Sequence, residues 1–158
     1  MKKCKNKKIC FCSSSGGHWE ELLCLKKIAD ENDSFFVTEE GGQVNDINDK
    51  KNLYVFPQIN RKEKRFTFHF IVLFWKAFKI LKKEKPDVVI TTGALIAFPF
   101  CLIAKLMKKK VVYIESFARV YDKSLTGSLV YPFADLFIVQ WKSMLKCYPK
   151  AVYTGGIF

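Results

Sequence analysis

The run Asp87-Val88-Val89-Ile90-Thr91-Thr92 narrows the choice of fold more than any other stretch of this chain. Its aspartate is followed by an unbroken β-branched series, with Pro86 before the run and Gly93 after it. A strand without polar alternation is covered on both faces, the habit of parallel sheets. Six further segments read as strands: Lys8–Ser13, Ser34–Thr38, Asn52–Phe56, Val111–Glu115, Leu136–Val139 and Ala151–Thr154. Between them lie stretches of helical period. Gly17 to Ala29 sets Leu22, Leu25, Ile28 and Ala29 on one face, and Phe66 to Lys83 forms a second helix. A third helix carries Pro99 near its first turn and runs to about Met107. A short helix is expected around Gly127 to Tyr131, and a brief one from Trp141 to Cys147. Glu39 to Lys51, with Gly41-Gly42 and its Asn/Asp clusters, reads as a loop. Strands alternating with helices require right-handed crossovers. The expectation is an α/β fold: one Rossmann-like, doubly wound domain over residues 1–158, with a parallel sheet of about seven strands. Ligands of such sheets collect at the carboxyl ends of strands. That places the loops Ser13–His18, Thr91–Leu95, Glu115–Arg119 and Thr154–Gly156 on one rim.

Charge bounds the partners. The chain holds 27 Lys and Arg against 15 Asp and Glu, a formal net charge of +12. Attraction to phospholipid head groups, lipid-linked diphosphates or nucleic acid follows. No recognised nucleic-acid module is visible, so nucleic acid is not the expected partner. The six cysteines (4, 10, 12, 24, 101 and 147) form no CxxC pair and read as small buried thiols of a reducing compartment. With two histidines, His18 and His69, and no ligand-spaced acidic cluster, neither a metal nor a cofactor is expected. No stretch reaches the roughly 20 apolar residues of a spanning helix. The basic start, Met1 to Lys8, is followed by too short an apolar run for a signal peptide. A chain in solution or on a membrane surface is expected.

The segment Ser13-Ser14-Ser15-Gly16-Gly17-His18-Trp19-Glu20-Glu21 joins the first strand to the first helix. Strand, glycine turn and helix together direct backbone N–H groups at an anion. The spacing fits neither GxGxxG nor GxxxxGK[ST], which argues against dinucleotide binding and P-loop hydrolysis. Gly16 and Gly17 let the backbone approach a ligand, and Ser14 and Ser15 add hydroxyl donors; alternatively, the glycines only make the turn. His18 stands where the helix dipole favours an uncharged ring that could take a proton from a sugar hydroxyl. Helix-start packing is its other reading. Glu20 and Glu21 complement the same helix end. Thr92 and Gly93 form a second strand-to-turn element, and Glu115, Ser116 and Arg119 a polar cluster past a strand end. There Arg119 could grip a phosphate and Glu115 accept sugar hydroxyls, or the two could form a structural ion pair.

Twelve of the sixteen residues from 66 to 81 are apolar, with Arg61–Arg65 before them and Lys82, Lys83 and Lys85 behind. A helix apolar almost all round and basic at both ends suits a membrane interface or a protein partner. Phe66, Phe70, Phe74, Phe78, Lys82 and Lys83 are the expected contact surface, with a plain core helix as the alternative.

These segments, taken in order, resemble one family. Ser13 to Leu22, Thr91-Thr-Gly-Ala94, Tyr113-Ile-Glu-Ser-Phe-Ala-Arg119, Tyr131-Pro-Phe-Ala-Asp135 through Val139-Gln-Trp141, and Tyr148-Pro149 cover nearly the whole chain. The pattern resembles the acceptor-side subunit of two-part glycosyltransferases. Its eukaryotic form anchors the dolichol-pathway N-acetylglucosaminyltransferase to the membrane. Its bacterial forms are the capsular and exopolysaccharide galactosyltransferase enhancers. The resemblance implies the N-terminal half of a GT-B enzyme, with the UDP-sugar reached only through a separate catalytic, donor-binding subunit. The chain stops at Gly155-Gly156-Ile157-Phe158, about where a one-chain enzyme would continue, so activity alone is not expected. Gly16, Gly17 and His18 match the turn that faces the acceptor's diphosphate in the peptidoglycan lipid-linked N-acetylglucosaminyltransferase, and Glu21 matches the acidic position three residues on. Serines partly replace the first-loop glycine. The implied role is that of a peripheral subunit on the cytoplasmic face of the membrane. It would bind a polyprenyl-diphosphate-linked sugar and recruit the catalytic subunit during capsule or exopolysaccharide assembly. A scaffold without active-site residues is the alternative. The spanning helix of the eukaryotic subunit has no counterpart, which leaves membrane contact to Lys2–Lys8 and Phe66–Lys85.

Overall fold

The computed structural model describes residues 7–41, 52–58 and 65–157. Within them the chain runs β1 (Lys8–Cys12), α1 (Gly17–Leu23), α2 (Lys26–Asp30), β2 (Asp33–Glu39), β3 (Leu53–Phe56), α3 (Phe66–Glu84) and β4 (Val88–Thr91). It continues through α4 (Ala97–Leu106), β5 (Lys110–Ile114), α5 (Leu125–Val130), β6 (Leu136–Val139), a 3-10 turn (Lys142–Lys146) and β7 (Val152–Tyr153). The strands form one seven-stranded parallel sheet in the order β3-β2-β1-β4-β5-β6-β7. The β-branched run is the fourth strand, paired on both sides, Val89 with Cys10 and with Val111. The order reverses between β1 and β4, and a crevice opens there at the strands' carboxyl ends.

Alternation along the strands sorts the core into two layers. Cys10, Cys12, Phe35, Val37, Val89, Val111, Tyr113, Phe137 and Val139 face α3 and α4. Ile9, Phe11, Phe36 and Ile90 face Trp19, Leu22 and Ala29 of α1 and α2.

Three sequence expectations change. Gly17 to Ala29 is two helices: the Leu25 amide bonds three residues back to the Leu22 carbonyl, tightening the turn and ending α1. Ile28, expected on the buried face, is therefore exposed. The segment 141–147 forms a 3-10 turn instead of an α-helix. Of the cysteines, Cys10, Cys12 and Cys101 are buried, and burial pushes their thiols up, to about 12 for Cys101. Cys24 is exposed. The lysine-rich start through residue 6, the loop residues 42–51 and the basic run 61–64 lie outside the described residues.

α3 has two faces. Leu73, Ala77 and Leu81, at helical spacing, are buried against the sheet. Phe70 and Phe74 also turn inward: Phe70 stacks on Phe66, and Phe74 meets Phe98 edge-on. Two of the four phenylalanines expected on the outer surface thus belong to the packing side. The outer stripe is Phe68, Ile71, Trp75 and Phe78, exposed by 64, 63, 58 and 43%. Lys79 lies over the Trp75 ring at 3.3 Å and Lys82 over Phe78 at 5.9 Å. The helix closes on Lys85, left-handed at φ 49°, just before Pro86. No helix among the described residues is long and apolar enough to cross a membrane.

The rim opposite the crevice is clamped by charge. Asp135 accepts from Lys105 at 2.9 Å, from Lys110 at 2.8 Å and from the Val111 amide at 3.0 Å. Burial would raise its pKa, but the Lys110 and Lys105 ammonium groups and that amide outweigh it and hold the carboxyl well below its usual range. A depressed carboxylate stabilises the fold above its unfolded pKa of about 4, and that contribution fades as pH falls through the folded value. Asp135→Asn should therefore lower the melting temperature at pH 7. It should also flatten the loss of stability below about pH 4 in a thermal-melt pH series.

Candidate functional site

The crevice is built by turns that each begin at a strand's carboxyl end. After β1, the Ser13 amide bonds to Val37 O at 3.1 Å, and three serine hydroxyls turn onto backbone carbonyls. Ser13 donates to Ser14 O, Ser14 to Ser15 O and Ser15 to Glu40 O. These hydroxyls brace the loop; the sequence had suggested Ser14 and Ser15 as ligand donors. Gly16 takes φ 81°, which an L side chain rarely adopts, and no heavy atom approaches within 4 Å of where a Cβ would stand on Gly16 or Gly17. The turn is thus open on its outer side. The amides of Gly17 and His18 precede the first intrahelical bond, which Trp19 and Glu20 make to Gly16 O.

His18 is clasped to the β4–α4 turn by two bonds. Its Nδ1 lies 2.9 Å from Thr92 O, and the Thr92 hydroxyl donates back to His18 O at 2.7 Å. A carbonyl can only accept, so Nδ1 carries the proton, and in the neutral ring Nε2 is left as an acceptor. The turn that supplies Thr92 is strained: Gly93 has φ 107° and Ala94 φ 72°. Gly93 also leaves room, since a Cβ there would lie 2.8 Å from the Tyr113 hydroxyl and 3.6 Å from His18 Cε1.

Two buried carboxylates tie the remaining loops together. Glu21 is 4% exposed; it accepts from Ser116 Oγ at 2.8 Å, the Phe117 amide at 3.1 Å and Gln140 Nε2 at 3.0 Å. Glu115, 1% exposed, accepts from the Ser116 amide at 3.1 Å, Ser124 Oγ at 3.0 Å and the Tyr148 hydroxyl at 2.8 Å. Burial and the carboxylate of Glu115 push the Tyr148 phenol up, so it stays a donor. Gln140 also donates to Glu115 O and accepts from the Ile157 amide, each at 3.0 Å. Among the described residues, the donors around both acids are neutral: amides, hydroxyls and the Gln140 side chain. Glu21 and Glu115 therefore hold the floor of the crevice and do not face it. The alternative of a structural Glu115–Arg119 ion pair finds no counterpart among the described residues, because Glu115 points inward while Arg119 is exposed at the rim.

The open space is a cleft of about 300 Å³ lined by His18, Ala94, Ser116, Arg119, Ser124 and Thr126, with Ala118 and Leu125. The structure thus brings His18, Ser116 and Arg119 onto one cavity. It places Thr92 and Gly93 directly behind His18 and leaves Gly16 and Gly17 on the adjoining turn. A proton acceptor, a guanidinium and hydroxyls around one cleft can hold an anion beside a hydroxyl that must lose its proton. Sequence reasoning missed Gln140, Ser124 and Tyr148. Gln140 follows directly on β6, so its place on the rim was available as a signal. Tyr148 lies in the Tyr148-Pro149 pair that shares in the family resemblance, whereas Ser124 comes from a loop position with no such pattern.

The fold and cleft together define a Rossmann-like domain of the sort that forms the N-terminal half of GT-B proteins. Acinetobacter baumannii MurG superposes with a TM-score of 0.75 at 19% identity, over 95% of this chain and 46% of that one. The UDP-N-acetylglucosamine 2-epimerase of Rickettsia bellii gives 0.71 at 14%, over 97% and 46%. The chain belongs to the family described as oligosaccharide biosynthesis protein Alg14 like, which it matches over residues 9–157. The UDP-N-acetylglucosamine transferase subunit ALG14 of Homo sapiens is 37% identical over 89 residues, 52% of this chain and 41% of that protein. The Schizosaccharomyces pombe subunit is 40% identical over 89 residues, 53% and 40% respectively. The matches thus span about two fifths of these relatives' length.

Gly127 tests the buried acids. A Cβ there would run into Glu115 Oε2 and would stand 2.6 Å from the Tyr148 hydroxyl and 2.7 Å from Ser124 Oγ. Gly127→Ala should cost about 1–3 kcal/mol of stability, lowering the melting temperature by about 2–4 °C per kcal/mol.

Proposed function

We propose that this chain is the acceptor-side subunit of a two-part glycosyltransferase. It binds a polyprenyl-diphosphate-linked sugar at the crevice and recruits a separate catalytic chain that carries the UDP-sugar. The observation that carries this reading is the convergence of His18 and Arg119 on one cleft at the sheet's switch point. Membership of the family supports it, as do relatives that are themselves named transferase subunits. In the joint site the open Gly16-Gly17 turn and Arg119 neutralise the diphosphate. His18, with Nδ1–H held by Thr92 O, takes the acceptor hydroxyl's proton on Nε2 as that oxygen bonds to the donor's anomeric carbon and UDP departs with the electrons of the broken sugar–phosphate bond. Thr92, Gly93 and Ser116 position these groups, and Glu21 and Glu115 hold them from below. The donor is UDP-galactose or a similar UDP-sugar, and the product extends a capsule or exopolysaccharide repeat unit.

The chain works from the cytoplasmic face of the membrane, held there by the Phe68–Ile71–Trp75–Phe78 stripe with Lys79 and Lys82 beside it. Each large side chain moved out of water contributes about 2 kcal/mol, and each nearby lysine about 1 kcal/mol at an anionic surface. The competing scaffold reading leaves the chain only to tether and stabilise the catalytic partner, with no active-site residues of its own.

Purified alone, the chain should transfer no sugar; with the donor-binding chain and UDP-sugar it should. In the assembled pair, His18→Ala should cut turnover by about a hundred- to ten-thousand-fold with acceptor binding retained. Unchanged turnover with acceptor binding retained would remove His18 as the base. Replacing Phe68, Ile71, Trp75 and Phe78 with serine should release the protein from anionic vesicles without lowering its melting temperature. Phe70→Ser and Phe74→Ser should instead lower the melting temperature by unpacking α3.

A further inference from the structure

A second cavity lies apart from the crevice, where the end of β3 meets the first half of α3. It measures about 170 Å³ and is lined by Phe56, Pro57, Gln58, His69, Val72, Leu73 and Lys76. We infer that this cavity receives part of the hydrocarbon chain of the lipid-linked acceptor. The inference rests on the proposed acceptor and adds where its lipid runs.

Four observations carry it. The lining is mostly apolar, and an apolar cavity of about 150 Å³ is known to stay dry and accept a benzene-sized guest; an isoprene unit is of that size. Its cation stands over a wall: Lys76 Nζ lies 5.7 Å above the Phe56 ring. A neutral chain with an anionic head fits an apolar pocket bordered by a lysine, whereas a buried charge does not. Val72, in the lining, is one helical turn from both Phe68 and Trp75 of the exposed stripe, so the cavity borders the apolar surface proposed to meet lipid. Finally, Phe56 ends β3, on the same rim as the glycine turn and two strands from β1. Neighbouring strands are about 4.8 Å apart, so roughly 10 Å of rim separates the cavity from the diphosphate turn. A few isoprene units bridge that gap. α3 thus meets the membrane with one face and, with the flank beside it, takes up one substrate's chain.

The test uses the full chain with farnesyl diphosphate and inorganic diphosphate as probes. Val72→Trp fills the cavity from a partly exposed position and leaves Leu73, Ala77 and Leu81 in place. Farnesyl diphosphate should bind the unaltered chain more tightly than inorganic diphosphate does. In the variant, its affinity should fall about tenfold or more, while that of inorganic diphosphate holds. Equal farnesyl diphosphate affinity in both proteins would overturn the cavity assignment and leave the diphosphate turn standing. Failure of both probes to bind the unaltered chain would sink the acceptor reading itself, and this inference with it. A diazirine-bearing prenyl diphosphate gives a check that needs no variant. Labelling should map to Phe56–Gln58 and to His69–Lys76, and labelling confined to Phe68, Ile71, Trp75 and Phe78 would contradict the cavity.

Discussion

The crevice depends on two carboxylates that water hardly reaches. Glu21 comes from the first helix and Glu115 from the end of β5, 94 positions later by their numbering, yet Ser116 bonds to both. A buried charge left without donors is costly, so each acid fixes whatever supplies its hydrogen bonds. Those suppliers are the Ser116–Phe117 loop, the Ser124 cap of α5, Gln140 past β6 and Tyr148. Loops that the sheet merely brings near one another are thereby held at fixed spacing. His18 and Arg119 can face one cleft because Glu21 anchors the helix of the first to the loop of the second.

This arrangement divides the conspicuous polar residues into two kinds. The two carboxylates are inward and act through geometry. Those open to a ligand are a histidine ring edge, a guanidinium and a glycine turn, all modest in sequence terms. The serine series behaves similarly, since its hydroxyls close the loop on itself and leave the turn's openness to Gly16 and Gly17.

The fold was legible because parallel sheets write themselves in β-branched runs and glycine turns. All seven expected strands occur, and the rim loops fall where the strand ends put them. The family was legible too, from ordered segments such as Tyr113 to Arg119. What the sequence could not resolve was direction. Helical period alone does not say which side of an almost wholly apolar helix meets the sheet, so Phe70 and Phe74 were expected outside although they pack inward. Likewise, a glutamate three residues past a histidine reads as a site residue until tertiary contacts show its oxygens already engaged. Periodicity reports local structure, whereas the occupancy of a carboxylate is decided by residues about a hundred positions away.

The central claim is that the glycine turn and its neighbours meet the acceptor's diphosphate. Backbone amide shifts of the labelled chain, followed by NMR as a short-chain prenyl-diphosphate sugar is added, test it most directly. The largest changes should fall on Gly16, Gly17, His18 and Trp19, with Gly93 and Arg119 following at the same ligand concentration. Changes confined to β6 and β7, with the turn unmoved, would contradict the account.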